Sequence, residues 1–273
     1  MYDDLATYYH LIFENWDASI ARQAAILGPL IETACGKSRL RILDAACGVG
    51  TQTIGLAMRG HAVTGSDLSE AAVARARVET GARNLVVPLY TADLRDLSAV
   101  PGGPFDAVVI ADNAFAHLLS EDEVRQAAAS AARKLDRGSI LLATMRDYDA
   151  LARERPAFHG PTFCADGGRR RIVHQVWDWT DERHYTMHLY ITCETAAGWE
   201  NHHFSSAFHA VPRAIVSGAL EEAGFTAVRW MEPGESGYYQ PIVLARLDAE
   251  WRTLQRAAVG FSPRSGGHPK MSS

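Results

Sequence analysis

One stretch constrains this chain more than any other: Leu40 to Leu56, reading LRILDAACGVGTQTIGL. A short apolar run through Ile42 and Leu43 ends in an acid, Asp44. Gly48 and Gly50 follow, and Thr51, Gln52 and Thr53 then open a helical pattern. Strand, tight turn and helix start is the reading this order dictates. Glycine at such a bend tolerates positive φ and leaves no side chain between backbone and ligand. Free N–H groups at the helix start favour a polar or anionic group. A nucleotide-like ligand is therefore expected against Gly48 and Gly50.

The strand–helix unit then recurs. His61–Ser66 reads as a strand running into Asp67, and Ser69 as the cap of a helix through Glu70–Glu79. Asn84–Tyr90 reads as a third strand, followed by Ala92-Asp93-Leu94, and Phe105–Ala111 as a fourth, apolar on both faces. Ser120–Leu135 reads as a helix with Ser120 and Glu123 at capping-box spacing, and Gly138–Met145 as a fifth strand. Such alternation specifies a doubly wound α/β fold, a mostly parallel sheet with helices on both faces. Pro212–Gly224 reads as a further helix, and Phe225–Met231 and Pro241–Arg246 as two more strands around a turn at Glu232–Gly237.

Two segments depart from this rhythm. Tyr2–Ala34 reads as one long helix, an N-terminal cap over residues 1–38. Residues 161–210 alternate polar and apolar and are rich in aromatics, which predicts two or three antiparallel strands forming a lid inserted into the core of 39–160 and 211–247. Residues 259–273 read as a disordered tail.

Composition narrows the partners. A formal net charge of −5 over 273 residues argues against a nucleic-acid binder. Cys35, Cys47, Cys164 and Cys193 are scattered without a C-x-x-C pair, as in reduced cytoplasmic proteins, and His202, His203 and His209 lack the carboxylate partners of a metal site. No apolar run approaches the roughly 20 residues of a membrane span. A cytoplasmic chain without metal or membrane is expected; a homo-oligomer is compatible with all of this.

Two nucleotides compete for the glycine turn. The dinucleotide fingerprint G-x-G-x-x-G would place its third glycine at Thr53, where it is missing. Asp67 suits a ribose in either case. Asp44, Asp67 and Asp93 follow three successive strands, and carboxylates there suit ribose hydroxyls, an exocyclic amine and an ammonium group but repel a pyrophosphate.

With these residues in place, the chain resembles the Rossmann-like, S-adenosylmethionine-dependent methyltransferases. Asp44, Ala45, Gly48 and Gly50 match that family's first motif, Asp67 and Leu68 its ribose-binding acid, and Asp93 and Leu94 its adenine-binding segment. The resemblance implies a seven-stranded sheet closed by a C-terminal antiparallel hairpin, with S-adenosylmethionine as cofactor and S-adenosylhomocysteine as product. It also implies cofactor contacts from Ala111 and Asp112, at the end of the fourth strand.

Within the family the chain looks most like the glycine N-methyltransferases, through Asn113-Ala114-Phe115-Ala116-His117-Leu118 and Arg146-Asp147-Tyr148-Asp149. That likeness implies Asn113 and Arg146 on the acceptor's carboxylate and Arg22 on the carboxylate of the methionine moiety. Arginine's planar fork suits such a role. Tyr9 and Trp16 are candidates to close over the sulfonium, because aromatic faces attract cations. Tyr148, Tyr190, Tyr238 and Tyr239 are candidates to line the acceptor pocket. The expected reaction is in-line methyl transfer to the nitrogen of an amino acid, small amine or heterocycle. The alternatives are an O-methyltransferase with His117 as base and an NAD-dependent oxidoreductase.

Overall fold

The computed structural model describes residues 1–166 and 169–248; the tail expected to be disordered, 259–273, lies outside the described residues. A seven-stranded sheet forms the centre, from β1 (Arg41–Asp44), β2 (Ala62–Asp67), β3 (Leu89–Thr91), β4 (Phe105–Ile110), β5 (Leu135–Thr144), β10 (Phe225–Met231) and β11 (Ile242–Leu247). Its order is β10-β11-β5-β4-β1-β2-β3. The first five strands run parallel, while β11 pairs antiparallel with β5 and β10.

The period-two pattern of the central strands divides the core. Val108 and Ile110 of β4 pack with α5 (Glu121–Lys134) and α7 (Arg213–Glu222), whereas Ala107 and Val109 pack with α2 (Trp16–Cys35) on the opposite face. Helix α3 (Thr51–Met58) follows the glycine turn and packs closely on α2. A Cβ on Gly55 would stand 2.7 Å from that of Ala24, so only glycine lets these helices approach. Helix α4 (Glu70–Ala82) starts at Ser69, whose hydroxyl accepts the Ala72 N–H.

Three expectations need correction. The N-terminal segment is not one helix: α1 (Tyr2–Leu5), a 3₁₀ turn (Tyr9–Ile12) and α2 succeed one another. Asn15, in extended conformation, accepts the Ala18 N–H at 2.8 Å and restarts the helix there. The third strand is only β3, because Pro88 lacks an N–H, Asn84 sits at φ 55° and Val86 points to solvent at the sheet edge. The inserted sheet has four antiparallel strands, β6 (Phe158–Asp166), β7 (Arg169–Trp179), β8 (His184–Thr195) and β9 (Gly198–His209). They follow α6 (Tyr148–Glu154) and precede α7, and the turn at Glu232–Gly237 contains a short helix, α8 (Pro233–Ser236). One face of the insertion, through Val173, Trp177, Tyr185, Met187, Leu189 and Phe208, is continuous with the main core.

Candidate active site

Two adjoining cavities open at the carboxyl ends of β1, β2 and β4, where the strand order reverses and α/β sheets bind ligands. The first, about 430 Å³, is walled by Ala45, Gly48, Asp67, Leu68, Asp93, Leu94, Ala111 and Asp112, with Ser206 and Ala207 of the inserted sheet opposite. The second, about 320 Å³, shares Tyr2, Tyr9 and Asp112 with the first and is lined by Arg22, Asn113, Arg146, Gln175, Met187, Leu189, Phe208 and Tyr239.

Gly48 and Gly50 carry φ values of +52° and +103°, which a side chain would strain. The Gly48 N–H donates to Asp67 Oδ2 at 2.8 Å and the Ser69 N–H to Oδ1 at 2.9 Å. Burial pushes the Asp67 carboxyl above its ordinary range, and these two donors pull it back. Each oxygen keeps a lone pair free for a ligand hydroxyl. The three acids therefore do three different things. Asp44 is fully buried beneath the turn, takes the Thr53 hydroxyl at 2.6 Å on Oδ2, and leaves Oδ1 unpartnered. Burial drives its carboxyl up to about 7, and it lies outside the cavity wall. Asp93 lies in the wall, but the Arg95 guanidinium clasps it and holds its carboxyl below the usual range.

Where the cavities meet, Asp112 (φ 54°) and Asn113 (φ 70°) occupy left-handed conformations in succession. Their N–H groups are anchored on the Thr144 hydroxyl (2.9 Å) and carbonyl (3.1 Å). Asp112 accepts from Gln52 at 2.8 Å and from the hydroxyls of Tyr238 and Tyr239. Gln23 Oε1 accepts from Gln52 and Tyr238 at 2.7 and 2.6 Å, tying α2, α3 and the last loop together. Among the described residues Arg22 reaches only the Ser19 hydroxyl, at 3.4 Å.

In the second cavity Asn113 Oδ1 accepts the Arg146 backbone N–H at 2.7 Å and the Tyr148 hydroxyl at 3.5 Å. The Arg146 guanidinium lies 4.9 Å over the Trp177 ring, touches Gln175 Oε1 at 3.4 Å, and forms no ion pair among the described residues. His117 Nε2 is hydrogen-bonded to the Tyr2 hydroxyl at 2.8 Å, and burial lowers the imidazole to about 4.

The expected residues thus separate. Tyr9, Arg22, Asp67, Asp93, Asp112, Asn113, His117, Arg146 and Tyr239 line one or both cavities. Trp16 does not reach them: its indole donates to Thr51 and it faces a separate cavity with Arg83 over its ring. Tyr190 stacks on His174 and His203 on the far face of the inserted sheet, since its neighbour Leu189 takes the inward position. Tyr148 and Tyr238 are buried behind the wall and act through Asn113, Gln23 and Asp112. Tyr2, Gln23, Gln52 and Gln175 were not singled out, because their partners lie far along the chain and leave no local pattern.

Comparison with known proteins agrees with this geometry. Residues 42–138 match the methyltransferase domain family. Over that segment the chain is similar to the class I methyltransferases. It is 29% identical to the glycine/sarcosine N-methyltransferase of Aphanothece halophytica over 58% of its own length and 62% of that protein's. Its identity to the enzyme of the same description from Parasynechococcus marenigrum is 36%, over 50% of this chain and 48% of that one. The chain thus spans between about half and three fifths of these curated relatives. Among solved structures, the amino pentose methyltransferase of calicheamicin biosynthesis from Micromonospora echinaspora has a TM-score of 0.67 at 24% identity. That comparison covers 84% of this chain and 91% of that one, so the methyltransferase fold extends well beyond the matched domain.

Proposed function

We propose that this protein transfers a methyl group from S-adenosylmethionine to the nitrogen of a small amine that also carries a carboxylate. The observation that carries the reading is Arg146, a guanidinium without an ionic partner among the described residues, in a cavity that adjoins a nucleoside-sized one. The glycine cradle, the free lone pairs of Asp67 and the apolar walls at Ala45, Leu68 and Leu94 suit an adenosine. Among the described residues a pyrophosphate finds no free counterion there, because Arg95 is committed to Asp93 and Glu123.

When bound, S-adenosylmethionine supplies an activated methyl on a sulfonium and leaves as neutral S-adenosylhomocysteine. The chain's own residues align the acceptor and exclude water. Tyr2 and Tyr9 close the junction between the cavities with aromatic faces, which stabilise a cation. Arg146, stacked on Trp177 and held by Asn113, fixes a carboxylate, and Arg22 offers a second guanidinium at the same cavity, unpaired among the described residues. His117 is a poor base for a hydroxyl acceptor: its imidazole titrates near 4 and its Nε2 is engaged by Tyr2. That favours an amine, which needs only to arrive neutral. The relatives named for glycine and sarcosine support nitrogen as the acceptor. Calorimetry with S-adenosylmethionine and with NAD, followed by methyl transfer from labelled donor to amino acids, tests the reading. Binding of NAD without S-adenosylmethionine would discard it.

A further inference from the structure

We infer that the acceptor is an amino acid with a bulky apolar or aromatic side chain rather than glycine. This rests on the proposed N-methyl transfer and adds the size and polarity of the acceptor. The second cavity, about 320 Å³, lies at the lower end of the range for small-molecule sites. Its surface is divided chemically. One side carries Arg22, Asp112, Asn113, Arg146 and Gln175; the other is apolar, made by Ile12 and Phe13 of the cap and by Met187, Leu189 and Phe208 of the inserted sheet.

On the polar side two amide oxygens are already used. Asn113 Oδ1 takes the Arg146 N–H and the Tyr148 hydroxyl, and Gln175 Oε1 takes the Trp177 indole N–H at 3.0 Å. The guanidinium forks of Arg146 and Arg22 keep donors that match a carboxylate. On the apolar side, Met187 and Leu189 project inward from β8 while His188 and Tyr190 point away. A two-carbon acceptor on Arg146 leaves this wall against water, whereas an apolar side chain covers it.

In the reaction the neutral amine's lone pair forms the new nitrogen–carbon bond as the carbon–sulfur bond breaks, its electrons remaining on sulfur. The methylated ammonium then releases its proton to water.

The test is methyl transfer by the full chain from labelled S-adenosylmethionine to glycine, sarcosine, leucine, phenylalanine, tyrosine, tryptophan and 2-phenylethylamine, beside donor binding by calorimetry. At least one bulky amino acid is expected to exceed glycine in kcat/KM by roughly 10- to 200-fold, the range one or more matched apolar groups supply. It is also expected to exceed 2-phenylethylamine, which lacks the carboxylate. Leu189→Phe, or Met187→Phe if the first variant folds poorly, is expected to lower kcat/KM for that acceptor about tenfold and so narrow its advantage over glycine. A preference for glycine overturns the inference while leaving N-methyl transfer standing. Donor binding without transfer to any of these amines overturns both, and equal use of 2-phenylethylamine overturns the carboxylate assignment.

Discussion

The backbone N–H of Gly48 donates to the Asp67 carboxylate at 2.8 Å, so the glycine turn and the acid at the end of the next strand are one mechanical unit. Replacing Asp67 therefore removes the proposed ribose contact and also frees the turn. Asp67→Ala is expected to weaken S-adenosylmethionine binding by about 1–3 kcal/mol, the range for leaving hydrogen-bonding groups without partners. It should lower the melting temperature as well, because the N–H groups of Gly48 and Ser69 lose their acceptor. Calorimetry and a thermal melt on the same variant check both effects; unaltered donor affinity would remove Asp67 from the site.

Arg146 should separate acceptor from donor. Arg146→Gln keeps the backbone N–H that Asn113 holds but loses the charge and the fork above Trp177. The expected result is a rise of at least about tenfold in acceptor KM, since hydrogen bonds to charged groups contribute roughly 1.5–3 kcal/mol. Donor affinity should stay within about twofold. Loss of donor binding in the variant would place Arg146 in the wrong cavity.

For His117 the expectation is a negative one for catalysis and a signed one for stability. With its imidazole held near 4, His117 is neutral throughout the assay range, so the rate should follow the acceptor amine's own titration. The folded-state value lies below the ordinary 6.5, so the unfolded chain binds the extra proton between about pH 4 and 6.5. Stability from this group is lost as pH falls through that window and complete above it. His117→Phe should flatten that part of the stability–pH curve. A kcat profile that loses an ionisation near neutrality in the variant would reinstate the histidine as a base.

Much of this was legible because the parallel strands announce themselves: β1 and β4 carry short apolar runs, Ile42-Leu43 and 107–110, that an acid follows within two residues. The glycines and Asp67 were legible because backbone conformation and strand ends write a local pattern. Tyr190 was misplaced for a reason also present in the sequence. Along β8 the buried residues Tyr185, Met187, Leu189 and Ile191 hold one parity, and that alternation assigns Tyr190 to the outside. The third strand failed where an edge position and Pro88 outweighed β-branched residues. The Tyr2–His117 contact bridges elements whose proximity only the assembled fold creates, and so left no trace in spacing.

Arg171 couples the inserted sheet to the cap. Its Nη2 donates to the carbonyls of Phe13 at 2.7 Å and Glu14 at 3.1 Å, just before α2 begins. The segment it secures carries Tyr2 and Tyr9, which wall both cavities. Arg171→Leu should leave those carbonyls unsatisfied and destabilise the cap by about 1–3 kcal/mol. Hydrogen exchange in residues 1–15 should accelerate while the central sheet stays protected. Uniform acceleration across the sheet would mean Arg171 supports the whole fold instead.

Asp44 makes the strongest stability prediction, because nothing offsets its burial except Thr53. Its carboxyl titrates at about 7 in the folded chain against an ordinary 3.8, so between those values the native state holds a proton that the unfolded chain has released. Stability then falls as pH rises across the window and levels off above it, by roughly 2–4 kcal/mol in all. Asp44→Asn can still accept the Thr53 hydroxyl yet cannot ionise, so the variant should lack this decline. Denaturant melts of both proteins at pH 5 and pH 8 give the difference directly. Equal slopes would show that Asp44 is ionised in the native protein.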